Sequence, residues 1–399
     1  MEILKNLRQA IKALFFRLVY FFALLVPKNN TVWVFYGWIR NSERGIFADN
    51  AKYLFLYTSQ HVPTIQPIWI GTDTHICTLL NNAGYQAHSM YSVKGMYYTI
   101  RAKFTFVSSL MTLENWALSG GSNVVQLWHG KSVKKTGYNS PYGLRRYRKF
   151  LYPHLFKTFY KFVAISEYLA TYTKSDFQVP EPTILVSGIP KYDVLNKPVP
   201  DSDIDLDKHL EQLLNEIQSY KPNRTILYGP TFRPDGSNPL KEIDFLTLNQ
   251  QLSKQNDHMV ISLHPKFNTT EWVPDTNLSN IHFSQGEGDS YPLLHKFDLL
   301  VTDYSSLAID FLFMKKPVII FAYDFDEYQA GMGIHEHIWS LMPEPKVFTF
   351  QDLLTALDSD LAIYQNDITN AWQKLFTFDD AQASQRIVDE LLNTPVEKN

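Results

Sequence analysis

The sequence predicts an α/β protein made of parallel sheets in two domains. From Asn30 onward, short apolar runs of strand length alternate with helix-patterned segments, the order of strand, crossover helix and parallel strand. A polar stretch from Asn196 to Asn223, opened by Pro198 and Pro200 and rich in Asp, separates those runs into two series. With 399 residues, 45% of them apolar and 19% charged, the chain can bury two sizeable cores.

Met1 to Val26 opens the chain. Leu4, Leu7, Ile11, Leu14, Leu18 and Leu25 recur at helical spacing, interrupted by Lys5, Arg8, Lys12 and Arg17. The unbroken apolar run from Leu18 to Val26 is far short of the roughly 20 residues that span a bilayer. Pro27-Lys28 stands where a secretory signal would carry small residues. We read residues 1–28 as an amphipathic helix lying on the cytoplasmic face of the membrane, bound peripherally. A helix packed on the protein's own core fits the same pattern.

Residues 29–197 form the first predicted domain, with strands at Val32–Tyr36, Ile65–Ile70, Phe104–Ser108, Val124–Leu127, Phe162–Ile165 and Ile184–Val186, and a helix at Asn50–Thr58. Residues 198–380 form the second, with strands at Thr225–Tyr228, Met259–Leu263, Leu299–Thr302 and Val318–Phe321, and a helix at Asp244–Gln255. Residues 381–399 read as a last helix that crosses back to brace the first domain. Net charge is −3, which gives no general basis for binding nucleic acid. The single cysteine, Cys77, excludes an intrachain disulfide and fits a reducing compartment. Aromatic residues reach 15%, enough to serve a membrane interface as well as the cores.

Asp298 to Tyr328 is the most informative stretch. The strand Leu299–Thr302 turns through Asp303-Tyr304-Ser305-Ser306 into a helix, Leu307–Phe313, which Lys315, Lys316 and Pro317 end before the strand Val318–Phe321. The turn lies at the carboxyl end of a strand, where open parallel sheets bind ligands. Ser305 and Ser306 set hydroxyls beside helix N–H groups, which suits a phosphate, although the same residues also read as an ordinary helix cap. Asp310, two helical turns on, either touches a ribose or faces solvent.

Other strand-end turns carry further candidates. His129 follows a strand and precedes Gly130, Lys131, Lys134 and Lys135: an imidazole suited to general-base chemistry beside lysines suited to phosphate, or a structural histidine beside solvated lysines. Thr231 and Arg233 follow Tyr228-Gly229-Pro230 and suit an anion or a plain turn equally. His264-Pro265-Lys266 offers another donor to phosphate. Ser187 to Asp193 is a turn near the junction that reads equally as a hinge. Arg145, Arg146, Arg148 and Lys149, with Tyr142, Tyr147 and Tyr152, form a basic cluster suited to anionic lipid or a polyanionic acceptor, or a solvated helix face. His335-Glu336-His337 shows no third ligand, and we assign no metal. No P-loop or Rossmann glycine fingerprint is present.

Together the segments at 128–137, 187–195, 228–236, 263–266 and 302–328 resemble, in order and spacing, the CDP-glycerol glycerophosphotransferase family, the teichoic acid primases and polymerases of bacteria. The resemblance covers Gln126 to Tyr328, about half the chain. It implies a GT-B-like fold, two Rossmann-like domains around a central cleft. It also implies transfer of glycerol phosphate from CDP-glycerol to a hydroxyl of a lipid-linked or glycan acceptor, with release of CMP and no cofactor, in teichoic acid or related wall or capsule synthesis. By the same resemblance His129 is the base and His264 contacts the donor pyrophosphate or assists the departing phosphate. Ser305 and Ser306 hold the pyrophosphate, Thr231 and Arg233 line the donor pocket, Asp303 orients the loop, and Asp310 touches the ribose. The chain departs from the family where Gln329 to Gly333 stands in place of an arginine often found after the preceding segment. Three alternatives remain at this level: a CDP-ribitol donor, a nucleotide-sugar glycosyltransferase on the same fold, and an inactive membrane scaffold.

Overall fold

In the computed structural model, which describes residues 2–39, 45–111, 113–141, 159–233, 235–263, 278–284 and 286–394, the predicted alternation resolves into two parallel sheets. The strands of the first unit are β1 (Asn29–Tyr36), β2 (Trp38–Ile39), β3 (Gly45–Ile46), β4 (Gln66–Gly71), β5 (Ala87–Ser89), β6 (Ala102–Val107), β7 (Asn123–Gln126), β8 (Phe159–Ala164) and β9 (Ile184–Val186). Apart from the antiparallel pair β2–β3, they form one sheet in the order β5-β4-β1-β6-β7-β8-β9. The second unit contains β10 (Arg224–Gly229), β11 (Asp257–Ser262), β12 (Ile281–Ser284), β13 (Leu299–Thr302), β14 (Val318–Phe321) and β15 (Lys346–Val347), in the order β12-β11-β10-β13-β14-β15. Both orders are doubly wound. They reverse direction between β1 and β6 in one unit and between β10 and β13 in the other.

Central strands are buried on both faces, so they read as unbroken apolar runs. Val32 to Tyr36 is buried throughout, and Phe35 stacks on Phe106 with ring centroids 4.5 Å apart. In the second unit Ile226, Met259, Leu299 and Ile319 meet in one core with Leu248 and Leu252 of the helix Phe245–Gln255. β5, β12 and β15 went unpredicted. Two are edge strands of two or three residues, and all three include polar residues that break the apolar run.

Unit one comprises Met1–His129, Tyr142–Asp205 and Asp380–Asn399; unit two comprises Gly130–Pro141 and Leu206–Asp379. The junction expected near Lys197 falls instead between Asp205 and Leu206. Residues 202–205 are tied to unit one: Lys52 Nζ donates to Ser202 O (2.8 Å) and Ile204 O (2.9 Å), and Asp205 accepts from Phe47 N (2.9 Å). Immediately afterwards Asp207 N donates to Asp289 O of unit two (3.1 Å). The helix Ala383–Asn393 lies in unit one, where Asp193 accepts from Ala383 N and Ser384 N, both at 2.9 Å.

The helix Glu2–Leu25 packs in unit one through small residues. Ala13 and Ala23 are buried, Tyr20 stacks on Trp116 at 4.4 Å, and Lys12 pairs with Glu114 at 2.8 Å. A side chain at Gly120 would come within 2.4 Å of Tyr20 O, so glycine permits this approach. Ile11, Leu14, Phe15, Leu18, Phe21, Phe22 and Leu25 remain 53–79% exposed. The side chains of Leu4, Lys5 and Leu7 lie outside the described residues. Among the described residues, no helix is long and apolar enough to cross a membrane.

Candidate functional site

In unit two, β10 and β13 are neighbours, and Gly229 pairs with Thr302 where both strands end. The turns that follow therefore emerge side by side at the point where the strand order reverses. Asp303 joins them. Its carboxylate accepts from Thr231 N (2.9 and 3.1 Å), Thr231 Oγ1 (2.6 Å) and Tyr304 N (2.6 Å), and forms an ion pair with Arg233 Nη1 (2.8 Å). Arg233 in turn donates through Nε and Nη2 to the two oxygens of Asp324 (2.7 and 3.0 Å) and through Nη1 to Thr231 O (2.7 Å). Its guanidinium lies 5.1–5.6 Å from the ring centroids of Tyr328, Tyr304 and Tyr323. The Tyr304 hydroxyl donates to Asp324 at 3.0 Å, and its ring stacks on Tyr328 at 3.7 Å. Burial, with Asp324 and Asp303 nearby, raises the Tyr304 phenol far above its usual range, so it stays a neutral donor.

This geometry revises several expectations. Arg233 and Thr231 do not present their donors to an open surface: both are buried and committed to carboxylates or a backbone carbonyl. All three guanidinium nitrogens donate a hydrogen bond within the protein, and Nη1 also pairs with Asp303. Asp310 is buried rather than solvent-facing, and Tyr291 donates to it at 2.7 Å. The amides expected to be free at the start of the helix Leu307–Phe313 are also engaged. Leu307 N donates to Ser305 Oγ (3.3 Å), Ala308 N to Ser305 O (3.3 Å), Ile309 N to Ser306 O (3.0 Å) and Asp310 N to Ser306 O (3.2 Å). A tightened first turn supplies partners for these groups. Ser305 and Ser306 themselves are half-buried at the mouth of the turn, and the Ser306 side chain makes no capping hydrogen bond.

The lysine-bearing segment Gly130–Pro141 belongs to unit two. Lys134 forms an antiparallel bridge with Ile334, Lys135 N donates to Gly333 O (3.1 Å) and His335 N to Val133 O (2.8 Å). Gly333 has φ +73° and packs against the Lys135 side chain. Lys131 is buried, whereas Lys134 and Lys135 are half-buried. Burial lowers the Lys134 pKa; Asp303 opposes that shift and Arg233 adds to it, so the ammonium lies within electrostatic reach of the Asp303 node.

His129 closes the other turn, in unit one after β7. Its Nδ1 lies 3.2 Å from Ser108 O, at the end of the neighbouring strand β6, and its ring packs on Trp128 at 4.4 Å. A carbonyl only accepts, so Nδ1 carries a proton, and in the neutral form of the ring the lone pair is then on Nε2. That tautomer can take a proton from a hydroxyl.

His264 and Lys266 lie outside the described residues, as does the basic cluster Arg145, Arg146, Arg148 and Lys149. Among the described residues, no cluster of His, Cys, Asp and Glu is placed to hold a metal. Asp324 and Tyr304 are the members of the node that the sequence did not single out. The signal was present, because both lie inside the stretch read as most informative, but the pairing with Arg233 spans 91 residues.

Comparison with known proteins finds relatives in sequence and in fold. The sequence profile described as CDP-glycerol:poly(glycerophosphate) glycerophosphotransferase matches residues 18–393. The teichoic acid poly(glycerol phosphate) polymerase of Bacillus spizizenii is 23% identical over 387 residues, covering 92% of this chain and 93% of that protein. The teichoic acid ribitol-phosphate polymerase TarL of Staphylococcus aureus is 26% identical over 276 residues, 68% of this chain and 48% of that protein. The chain spans about half the length of TarL and of two other ribitol-phosphate polymerases it matches. Among solved structures, the wall teichoic acid polymerase TagF superposes with a TM-score of 0.72 at 20% identity, covering 97% of each chain, a likeness of fold. The profile match extends beyond the motif-bearing half to nearly the whole chain, and the chain belongs to the CDP-glycerol:poly(glycerophosphate) glycerophosphotransferase family.

Proposed function

We propose that this protein transfers glycerol phosphate from CDP-glycerol to a hydroxyl of a lipid-linked or glycan acceptor in the synthesis of a teichoic acid or related surface polymer. The match of the family profile over residues 18–393 carries the reading. In the proposed step the acceptor hydroxyl oxygen attacks the phosphorus that bears glycerol. The bond from that phosphorus to the bridging oxygen breaks, CMP departs, and the hydroxyl proton passes to Nε2 of His129. Ser305 and Ser306 hydroxyls and the ammonium groups of Lys134 and Lys135 stabilise the phosphate charge. Arg233, Asp303 and Thr231 hold the loops that carry these groups; His264 is proposed as a donor-phosphate contact by family resemblance.

A second donor has a specific observation behind it. Teichoic acid ribitol-phosphate polymerases of Staphylococcus aureus match at 26% identity, and a ribitol-phosphate primase of Bacillus spizizenii at 27%. A panel of CDP-glycerol and CDP-ribitol, read by CMP release, separates the two. Release from CDP-glycerol supports the first reading, and release from CDP-ribitol alone replaces it.

We also propose that the exposed apolar side of Glu2–Leu25 rests on the cytoplasmic face of the membrane as a peripheral anchor. Replacing Phe21 and Phe22 with Ser is expected to reduce sedimentation with anionic vesicles. Unchanged sedimentation refutes that surface as the anchor.

A further inference from the structure

The turn that carries His129 is held in an unfavourable backbone shape. Trp128 has φ +52°, in the left-handed region that costs a bulky residue about 1–2 kcal/mol, and Gly130 follows at φ +116°. Across from it Asp49 has φ +66°, directly before Asn50. Strain of this kind persists only where neighbouring groups fix it.

Two side chains from distant parts of unit one do so. Asn50 is fully buried on the helix Asp49–His61. Its Nδ2 donates to Trp128 O (2.7 Å) and Leu127 O (3.4 Å), and its Oδ1 accepts from Lys191 N (3.0 Å). Two carbonyls on one side and an N–H on the other admit only that orientation of the amide. Lys191, also buried, donates through Nζ to His129 O at 3.1 Å. Three successive carbonyls, those of Leu127, Trp128 and His129, are thus fixed from outside the turn. Gln126 Oε1 accepts from Trp128 N at 3.0 Å. Ser108, whose carbonyl receives the His129 ring, is itself fixed, since its hydroxyl accepts from Ala51 N at 3.1 Å.

We infer that Asn50 and Lys191 are positioning residues for His129. They hold its backbone so that the Nδ1–H stays on Ser108 O and the lone pair stays on Nε2. The inference rests on the reading of His129 as the base. It also accounts for the turn Ser187–Asp193, whose sequence reads equally as a hinge. Lys191 of that turn supports His129, while Asp193 caps the helix Ala383–Asn393 and Ser187 O accepts from Arg386 Nε at 2.8 Å. The turn is a fixed brace with contacts on both sides.

Asn50→Asp tests this in the full chain, because Asp matches Asn in shape and keeps the acceptor for Lys191 N but lacks both donors. With whichever CDP-alditol the wild type uses, kcat is expected to fall about 10- to 100-fold, with KM for the donor within about twofold. Nitrogen-15 spectra, assigned by the His129→Ala difference, are expected to show a single tautomer of His129 in the wild type and a mixture in the variant. Lys191→Met should do the same and Lys191→Arg should restore most of the rate, which keeps the test available if Asn50→Asp does not fold. Wild-type kcat and an unchanged tautomer in both Asn50→Asp and Lys191→Met overturn the inference. Transfer persisting in His129→Ala overturns instead the base reading beneath it.

Discussion

The turn bearing His129 and the turn bearing Arg233 each follow a strand of a doubly wound parallel sheet, yet they are held by opposite means. Neutral amides, carbonyls and one lysine fix the first from outside, and its imidazole is oriented through Nδ1 to Ser108 O. Buried charges fix the second, and the residue that looks most like an anion binder is the centre of the scaffold. A cation after a strand is therefore not by itself an anion contact. What decides is whether carboxylates elsewhere in the chain already claim it, as Asp303 and Asp324 claim Arg233.

The largest expected effects break this comparison if they fall on the wrong side. Arg233→Ala strands the buried carboxylate of Asp303 and the half-buried one of Asp324 and is expected to cost about 3–5 kcal/mol of stability in denaturant unfolding. His129→Ala is expected to lower kcat by roughly 10²- to 10⁴-fold while leaving stability within about 1 kcal/mol. A stable, inactive Arg233→Ala, or a His129→Ala that unfolds, would reverse the roles of the two turns. Tyr304→Phe is a finer probe: it removes one hydrogen bond to Asp324 and leaves the ring stacked on Tyr328, so a loss of about 1–3 kcal/mol is expected in the same unfolding experiment. No loss would show that Arg233 alone satisfies Asp324.

A smaller, pH-dependent effect belongs to unit two alone. His258 Nδ1 lies 3.0 Å from His282 Nε2, beside Tyr220 and Glu216. Burial and the neighbouring His258 push the His282 pKa down to about 4, with Glu216 opposing. Burial also lowers His258, with Asp257 opposing. The unfolded chain takes up these protons near pH 6.5 and the folded chain does not. This contribution to stability is complete above about pH 6.5 and is lost as pH falls from there toward 4. The melting temperature should fall between pH 7 and pH 5, and less steeply in His282→Gln. Equal slopes would remove the pair from the account.

Much of this was legible in the sequence, for a reason visible in β13 and β14. Both are buried on two faces and flanked by polar turns, so their apolar runs end where the strands end, and the helix Leu307–Phe313 between them was read to the residue. β15, two residues at an edge, left no such trace. His129 was legible because a histidine between a strand and a glycine is conspicuous. Its supports were not, because Asn50 and Lys191 lie 141 residues apart and only the fold brings them together. The commitment of Arg233 was hidden in the same way, since local sequence cannot show that Asp324 will face it.

The central claim is phosphoryl transfer, and one labelling experiment addresses it directly. CDP-glycerol carrying labelled phosphorus only at the glycerol-bearing position is incubated with the protein and a lipid-linked glycan acceptor. The account predicts that the label moves to the acceptor and that CMP leaves unlabelled, with both events lost in His129→Ala. Label that stays with a departing nucleoside diphosphate, or an acceptor that remains unlabelled, would contradict it.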